Sequence, residues 1–458
     1  MDKTTEQFAH FITETRFEDI PSHVVAEAKK VLLDCIGITL AGSLEPAGKI
    51  ITGLVSEMGG FPNASVVGAG FKTSVLNAAL ANGVMAHALD FDDGGHPNLP
   101  LSRSVTVLPA VLAIGEWLGL TGKEVLLGYI IGFDVISKIS YGMSKQHHYE
   151  WGWQTTGTVC TLGAAAGGAK VLKLNIEETC RALGIAGSGA GGLRQNNGTM
   201  TKPLHAGNAA RNGILATLLS RKGFTGTEEC LEGPFGFCQC FCGSEGYNLE
   251  KMTENLGKTY EFVTPGVGIK RYAACMSNHR ALDAIFNLFE EHHFAADDVD
   301  RVECGVNKEV LDHLFYLSPQ RGTEGKFSLQ YCVAIAILDR KVGLGQFTDE
   351  KVRNAAVHEF MKKIIVYEHP EQKGQPSKNQ FSEVIVHLKD GRVFSNRVAL
   401  VRGRPGNPLR YDEIVTKYKE CAGTVLPDTS VDHLLGIVEN IEKLDNISAL
   451  ANILNIEK

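Results

Sequence analysis

An excess of basic charge is absent from this chain: 45 Lys and Arg stand against 52 Asp and Glu, a net charge of −7. With no Lys/Arg stripe either, the electrostatic footprint of a nucleic-acid binder is missing. Long hydrophobic runs are also missing, since no uncharged apolar stretch reaches the roughly 18 residues needed for a membrane span. The start, Met1-Asp2-Lys3-Thr4-Thr5-Glu6, has neither the basic nor the apolar region of a secretory leader. Eleven scattered cysteines form no paired framework; they read as reduced thiols of a cytoplasmic protein. Cys238, Cys240 and Cys242, with Cys230 nearby, do not match zinc or iron–sulfur spacings and read as incidental thiols. No G-x-S-x-G elbow or G-x-x-x-x-G-K-[ST] loop occurs, and Gly187-Ser188-Gly189-Ala190-Gly191-Gly192 lacks the strand and acidic partner of a dinucleotide fold. No cofactor is indicated.

What is present is a 458-residue chain with 44% hydrophobic residues, long enough for two or more domains. From residue 4 to about 260, apolar residues recur at helical spacing. Pro21 opens one such run, with Val24, Val25, Ala28, Val31, Leu32 and Leu33 on its face. Further helices are predicted over 74–89, 108–118, 122–140, 157–172, 176–188 and 206–221. Small residues, as in Leu162 to Ala169, allow these helices to approach closely. Beyond 260 the pattern changes. Val299–Val306, Phe381–Leu388 and Arg392–Val401 read as strands, the last two joined at Asp390-Gly391. Helices are predicted over 279–291, 328–338 and 349–362. The tail returns to helix at 411–421 and 431–442, consistent with packing onto the N-terminal bundle. The fold class is therefore mainly α with an α+β second domain.

Four polar constellations interrupt the apolar text. The first, His87-Ala88-Leu89-Asp90-Phe91-Asp92-Asp93-Gly94-Gly95-His96, offers three carboxylates and two imidazoles. It admits a metal site, a capped turn, or an acid–base site. The second, His147 to Gly157, sets Tyr149, Gln154 and Thr155 among aromatics, either as a pocket wall or as a plug with Thr155 capping a helix. The third places Lys202 and His205 before an Ala-rich helix, where a helix N-terminus and an ammonium together attract a carboxylate. The fourth, Lys270-Arg271-Tyr272 through His279, falls where the texture changes. Asp, His, Lys and Tyr in these settings suit proton transfer on an anionic substrate.

In this order the constellations resemble the MmgE/PrpD family, which includes 2-methylcitrate dehydratase, cis-aconitate decarboxylase and iminodisuccinate epimerase. The carrying motifs are Leu33 to Gly37 with Ala41-Gly42, His87 to Asp93, Gly152 to Gly157, Lys202 to Gly207, Lys270 to His279, and Phe327 to Tyr331. The resemblance implies a helical domain from residues 1–268 and 405–458, an inserted α+β lid over 269–404, a homodimer, and catalysis of a small carboxylate substrate without metal or organic cofactor. It places Asp93, Lys202 and His279 at active-site motif positions, with His205 and Tyr272 in the same motifs.

Two departures bear on the reaction. Family lyases commonly show His-Pro-Ser where this chain reads Ser102-Arg103-Ser104, and a His where it has Gln154. Gln cannot exchange a proton near neutrality, and Ser102 needs an activating neighbour. His96 is a candidate replacement; alternatively Tyr149 and Lys202 share the proton work on opposite faces of a carbon. The expected catalytic set is thus Asp93, Lys202, Tyr149 and His279, with His96, Ser102, Gln154, Thr155, His205, Lys270 and Tyr272 binding substrate. The expected function is a cofactor-independent lyase acting on a di- or tricarboxylate. An epimerase of the iminodisuccinate type and a catalytically degenerate polycarboxylate-binding protein are the alternatives, and iron–sulfur chemistry at Cys238, Cys240 and Cys242 is a remoter one.

Overall fold

A computed structural model describes residues 3–374 and 380–456. The chain divides into two compact units: residues 1–269 with 410–458, and residues 270–409. The first unit is helical. Its principal helices are α1 (Ser22–Gly42), α2 (Val75–Ala88), α3 (Ser104–Leu118), α4 (Gly122–Tyr141), α5 (Thr155–Val171), α6 (Ile176–Ser188) and α7 (Thr201–Arg221). The second unit packs α8 (His279–Glu291) and α9 (Leu329–Asp339) with a four-stranded sheet. The chain then returns to the first unit as α10 (Tyr411–Ala422). The protein is mainly helical with a smaller α+β region. Among the described residues, no helix is long and apolar enough to cross a membrane.

Why the first unit packs so closely is visible at its glycines. A Cβ on Gly207 would sit 2.4 Å from the Leu80 carbonyl oxygen, and one on Gly83 would lie 2.8 Å from the Gly207 Cα. Backbone therefore meets backbone where α2 crosses α7, as only glycine permits. The contact also sets chemistry. His87 lies one turn beyond Gly83 and Lys202 lies five residues before Gly207, so the crossing brings the end of α2 to the start of α7. Gly207→Ala is expected to destabilise the fold by about 1–3 kcal/mol, the usual range for overpacking, measured by denaturant unfolding. An unchanged midpoint would show that the helices separate freely.

Helix α3 begins four residues earlier than the apolar pattern of 108–118 suggests, and runs through Pro109. The reason is not local. The carboxylate of Asp93 accepts hydrogen bonds from the backbone N–H groups of Ser104, at 2.9 Å, and Arg103, at 3.3 Å. A distant side chain thus satisfies donors that a helix start leaves open.

In the second unit, β1 (Val299–Val306), β2 (Ile364–Glu368), β3 (Ser382–Leu388) and β4 (Val393–Val398) form a sheet of order β2-β1-β3-β4. The β1–β2 pair is parallel, with Val302 opposite Ile364; the others are antiparallel, with Glu303 opposite Ile385 and Ile385 opposite Ser395. Along β3 burial alternates strictly, so Val384 and Val386 enter the core. The strand β2 has no counterpart in the sequence reading, and the single helix expected over 349–362 is two short ones, Asp349–Val352 and Ala355–Met361. Asn354 breaks it: its side chain accepts from the N–H groups of Ala356 and Val357 and caps the second helix.

Candidate active site

Helix α2 ends at Ala88, and the chain turns sharply at Asp90, whose φ is +52°. Left-handed backbone at a non-glycine residue is costly and is kept where surroundings impose it. Here the turn aims Asp90 at α7: the Lys202 Nζ donates to Asp90 Oδ1 at 2.7 Å and to His87 Nε2 at 3.1 Å. With its Nε2 accepting, His87 must carry its proton on Nδ1, which lies 3.2 Å from Asp92 Oδ1. Hydrogen bonds thus join His87, Lys202 and Asp90, and Asp92 lies within ion-pair distance of His87, with His87, Asp90 and Asp92 all buried.

His87, Asp90 and Asp92 also offer ligand atoms within 4.8 Å of one another, a grouping that can hold a metal ion. The Lys202 ammonium is a partner of two of these residues, through His87 Nε2 and Asp90 Oδ1. Lys202 is the second residue of α7, where the helix dipole disfavours a cation, and the Asp90 carboxylate offsets that cost. The dipole and the ammonium act together on any anion reaching this end of the helix.

The second and third constellations also meet. Gln154 N–H donates to the Gly192 carbonyl at 3.0 Å, and Arg194 N–H to the Gly152 carbonyl at 2.8 Å. The paired segments lie over His205, since a Cβ on Gly192 would fall 3.2 Å from its ring. His205 follows Lys202 on α7 and is buried, with its Nδ1 lacking a hydrogen-bond partner. Burial, helped by His87 and Lys202, pushes its pKa down to about 4, so it is a neutral imidazole near neutrality. The Tyr149 ring is buried with the Arg194 guanidinium 4.3 Å from its centroid.

Other expected site residues have structural partners. The Gln154 side chain caps α5 by accepting from Thr156 N–H at 2.7 Å, while the Thr155 hydroxyl donates to the Pro100 carbonyl. Gln154 rather than Thr155 is therefore the cap. Ser102 is half-buried, and its carbonyl accepts from the Cys160 thiol at 3.6 Å.

The His96 imidazole is committed to backbone partners. Its Nδ1 accepts from the N–H groups of Asn98 and Leu99, so its Nε2 carries the proton and donates to the Ser137 carbonyl at 3.1 Å. Burial holds its pKa well below the ordinary range. Both nitrogens are spent on backbone groups, one on the loop at Asn98 and Leu99 and one on helix α4.

Asp93 is separated in role from Asp90. Besides capping α3 it pairs with Arg103, whose Nε lies 3.4 Å from Asp93 Oδ2. The fully buried guanidinium also donates to Glu261 Oε1 and to Ser137 Oγ, both at 3.0 Å, and to the Gly94 carbonyl at 3.2 Å.

In the second unit, the Tyr272 hydroxyl donates to Asp283 Oδ1 at 2.8 Å, and burial raises its pKa well above the ordinary range. His279, the first residue of α8, is buried with its Nε2 3.2 Å from the Ala274 carbonyl and its ring 5.1 Å from that of Tyr272. Lys270 is also buried.

The residues that sequence reasoning left off the site were His87, Asp90 and Asp92. A signal existed for the first two: they stand three apart across a helix end, the spacing that puts two side chains on one face.

His148, adjacent to Tyr149, bridges the Phe241 carbonyl and the Thr158 hydroxyl, at 3.2 and 2.9 Å. Burial lowers its pKa from 6.5 to about 4. Because the folded value is the lower one, unfolded chains bind the proton first on acidification. Stability that His148 provides above about pH 6.5 is therefore lost as pH falls toward 4. Unfolding free energies of His148→Gln are expected to fall less steeply across that interval than those of the wild type; equal slopes would remove His148 as a contributor.

With this geometry established, comparison with known proteins decides the family. Residues 6–250 match the MmgE/PrpD N-terminal domain and residues 272–443 the MmgE/PrpD C-terminal domain. The chain belongs to the MmgE/PrpD family. Among its relatives, cis-aconitate decarboxylase of Mus musculus is 27% identical over 466 residues, covering 99% of this chain and 94% of the relative. The human cis-aconitate decarboxylase is 28% identical, covering 98% and 94%. The 2-methylcitrate dehydratase of Salmonella typhimurium is 24% identical, covering 80% of this MmgE/PrpD chain and 79% of that protein.

Proposed function

We propose that this MmgE/PrpD protein is a lyase that acts on a small tricarboxylate by proton transfer at carbon, with no cofactor in the step. The observation that carries the reading is the Lys202 ammonium held between Asp90 and His87 at the start of α7. Such a group binds a substrate carboxylate, stabilises enolate-like charge as it develops, and exchanges a proton with the adjacent carbon. In the decarboxylase form the bond to one carboxylate breaks, and its electron pair passes into the conjugated system of the remaining carboxylate. Lys202 delivers a proton to carbon, and the neutral amine recovers one from solvent by way of His87. Asp92 stabilises the imidazolium formed in passing. In the dehydratase form Lys202, starting as the neutral amine, removes a C–H proton while the neighbouring C–O bond breaks, and the ammonium so formed passes that proton to the departing hydroxide, which leaves as water. Asp90 acts in both by holding Lys202 in place. Asp93 is here assigned to structure. Tyr149 and His205 are proposed to bound the substrate's space on the α7 side.

Proton NMR in deuterated water with cis-aconitate, 2-methylcitrate, citrate and iminodisuccinate tests this reading. Loss of carbon dioxide or water from one of them is the expected result. Deuterium exchange with the carbon skeleton retained would instead indicate an epimerase, and binding without turnover a degenerate protein. The homodimer belongs to the same proposal, with a solution mass near twice the 49.6 kDa of one chain as its expected signature by light scattering.

A further inference from the structure

Lys417 lies more than 300 positions from the Asp90 turn in sequence, yet its ammonium is buried against that turn. Its Nζ donates to the Phe91 carbonyl at 2.7 Å and lies 3.8 Å from the centroid of the Phe91 ring. The same nitrogen pairs with Asp34 Oδ1 on α1 at 2.7 Å. Both side chains are over nine-tenths buried. Burial pushes the Asp34 carboxyl up to about 6 even with the ammonium beside it. The helix that carries Lys417 is itself fixed: a Cβ on Gly37 of α1 would be 3.3 Å from the Tyr418 Cα, and the Tyr418 hydroxyl donates to the Val431 carbonyl at 2.9 Å.

Phe91 stands between Asp90, which holds Lys202, and Asp92, which faces His87. A residue gripped by both its carbonyl and its ring cannot rotate without moving its two neighbours. Ion pairing alone would not require this arrangement, because Asp34 satisfies the ammonium's charge.

We propose that Lys417 is a positioning residue for proton transfer: with Asp34 as its anchor, it clamps Phe91 so that Asp90 and Asp92 hold the Lys202–His87 pair in register. This rests on Lys202 being the proton-transfer group. Displacements of about 1 Å in such an arrangement cost on the order of 10²-fold in rate, so a remote clamp is enough to govern kcat.

The test compares Lys417→Met, Lys417→Arg and the double variant Asp34→Asn/Lys417→Met in the full chain. Lys417→Met strands a buried carboxylate and is expected to lower the unfolding midpoint. The double variant strands none and is expected to regain much of it. Activity should not follow stability. In the double variant kcat is expected to stay on the order of 10²-fold below wild type, with KM within about threefold, while Lys417→Arg recovers part of kcat. Return of kcat together with stability in the double variant would overturn the proposal, leaving Lys417 a purely structural ion pair. The ¹⁵N resonances of the His87 imidazole give a reading independent of turnover. They are expected to shift in the double variant as the contacts to Asp92 and Lys202 loosen, and unchanged resonances would likewise overturn the clamp. A shift in a protein inactive on every carboxylate would refute the lyase reading and retain the clamp.

Discussion

Lys202→Met should lower kcat by roughly 10²–10⁴-fold, the contribution typical of a positioned acid or base, while the protein stays folded. Methionine keeps the apolar stem and removes the charge that lies 2.7 Å from Asp90. The variant also leaves Asp90 without that cation, so a modest drop in the unfolding midpoint accompanies the kinetic loss. The informative comparison is with the two neighbouring carboxylates. Asp90→Asn should reduce kcat because it loosens Lys202, whereas Asp93→Asn should reduce stability and leave kcat per folded molecule near wild type. Steady-state kinetics on the substrate identified by NMR, paired with thermal unfolding, separates the three. Wild-type turnover in Lys202→Met would end the assignment of this cluster as the reacting one.

The largest expected loss of stability follows from Arg103→Met. The guanidinium is fully buried between two acids, Asp93 and Glu261, with the Phe133 ring 4.2 Å from its centre. Removing one partner of a buried ion pair leaves uncompensated charge and costs about 3–5 kcal/mol. Here two carboxylates lose their partner at once, so the upper part of that range is expected, measured by urea unfolding. Adding Asp93→Asn and Glu261→Gln to Arg103→Met should return part of the loss, since three buried charges are then removed together. A midpoint for Arg103→Met equal to wild type would mean that water reaches the cluster and screens it. The buried guanidinium thus forms a charged strut between Asp93 and Glu261, with Ser102 and Ser104 on either side of it in sequence.

Much of the secondary structure was legible because it depends on near neighbours. Helix α8 was expected over 279–291 and spans His279–Glu291. Strand β1 was expected and found at Val299–Val306. Both have strong apolar periodicity and local end signals. Where a partner came from elsewhere in the chain, the reading fell short. Helix α3 started early because Asp93 caps it, and β2 was missed because Ile364–Glu368 is a short strand completed by pairing with Val302 to Val306. The family was legible from motifs spread along the chain, which depend on residue order alone.

Within the His87 to His96 cluster, the sequence by itself determined that polar chemistry gathers at the end of an apolar helix, and that Lys202 stands just ahead of another. It offered three aspartates in four residues, and the family resemblance singled out Asp93 among them. The tertiary structure divided their work. Backbone contact at Gly83 and Gly207 brings two helix ends together, the positive φ of Asp90 turns its carboxylate onto Lys202, Asp92 faces His87, and Asp93 is drawn away to Arg103 and the start of α3. The physical reason is that a carboxylate's role is set by which buried cation or donor it meets, and those partners lie from five to more than 100 residues away in the chain.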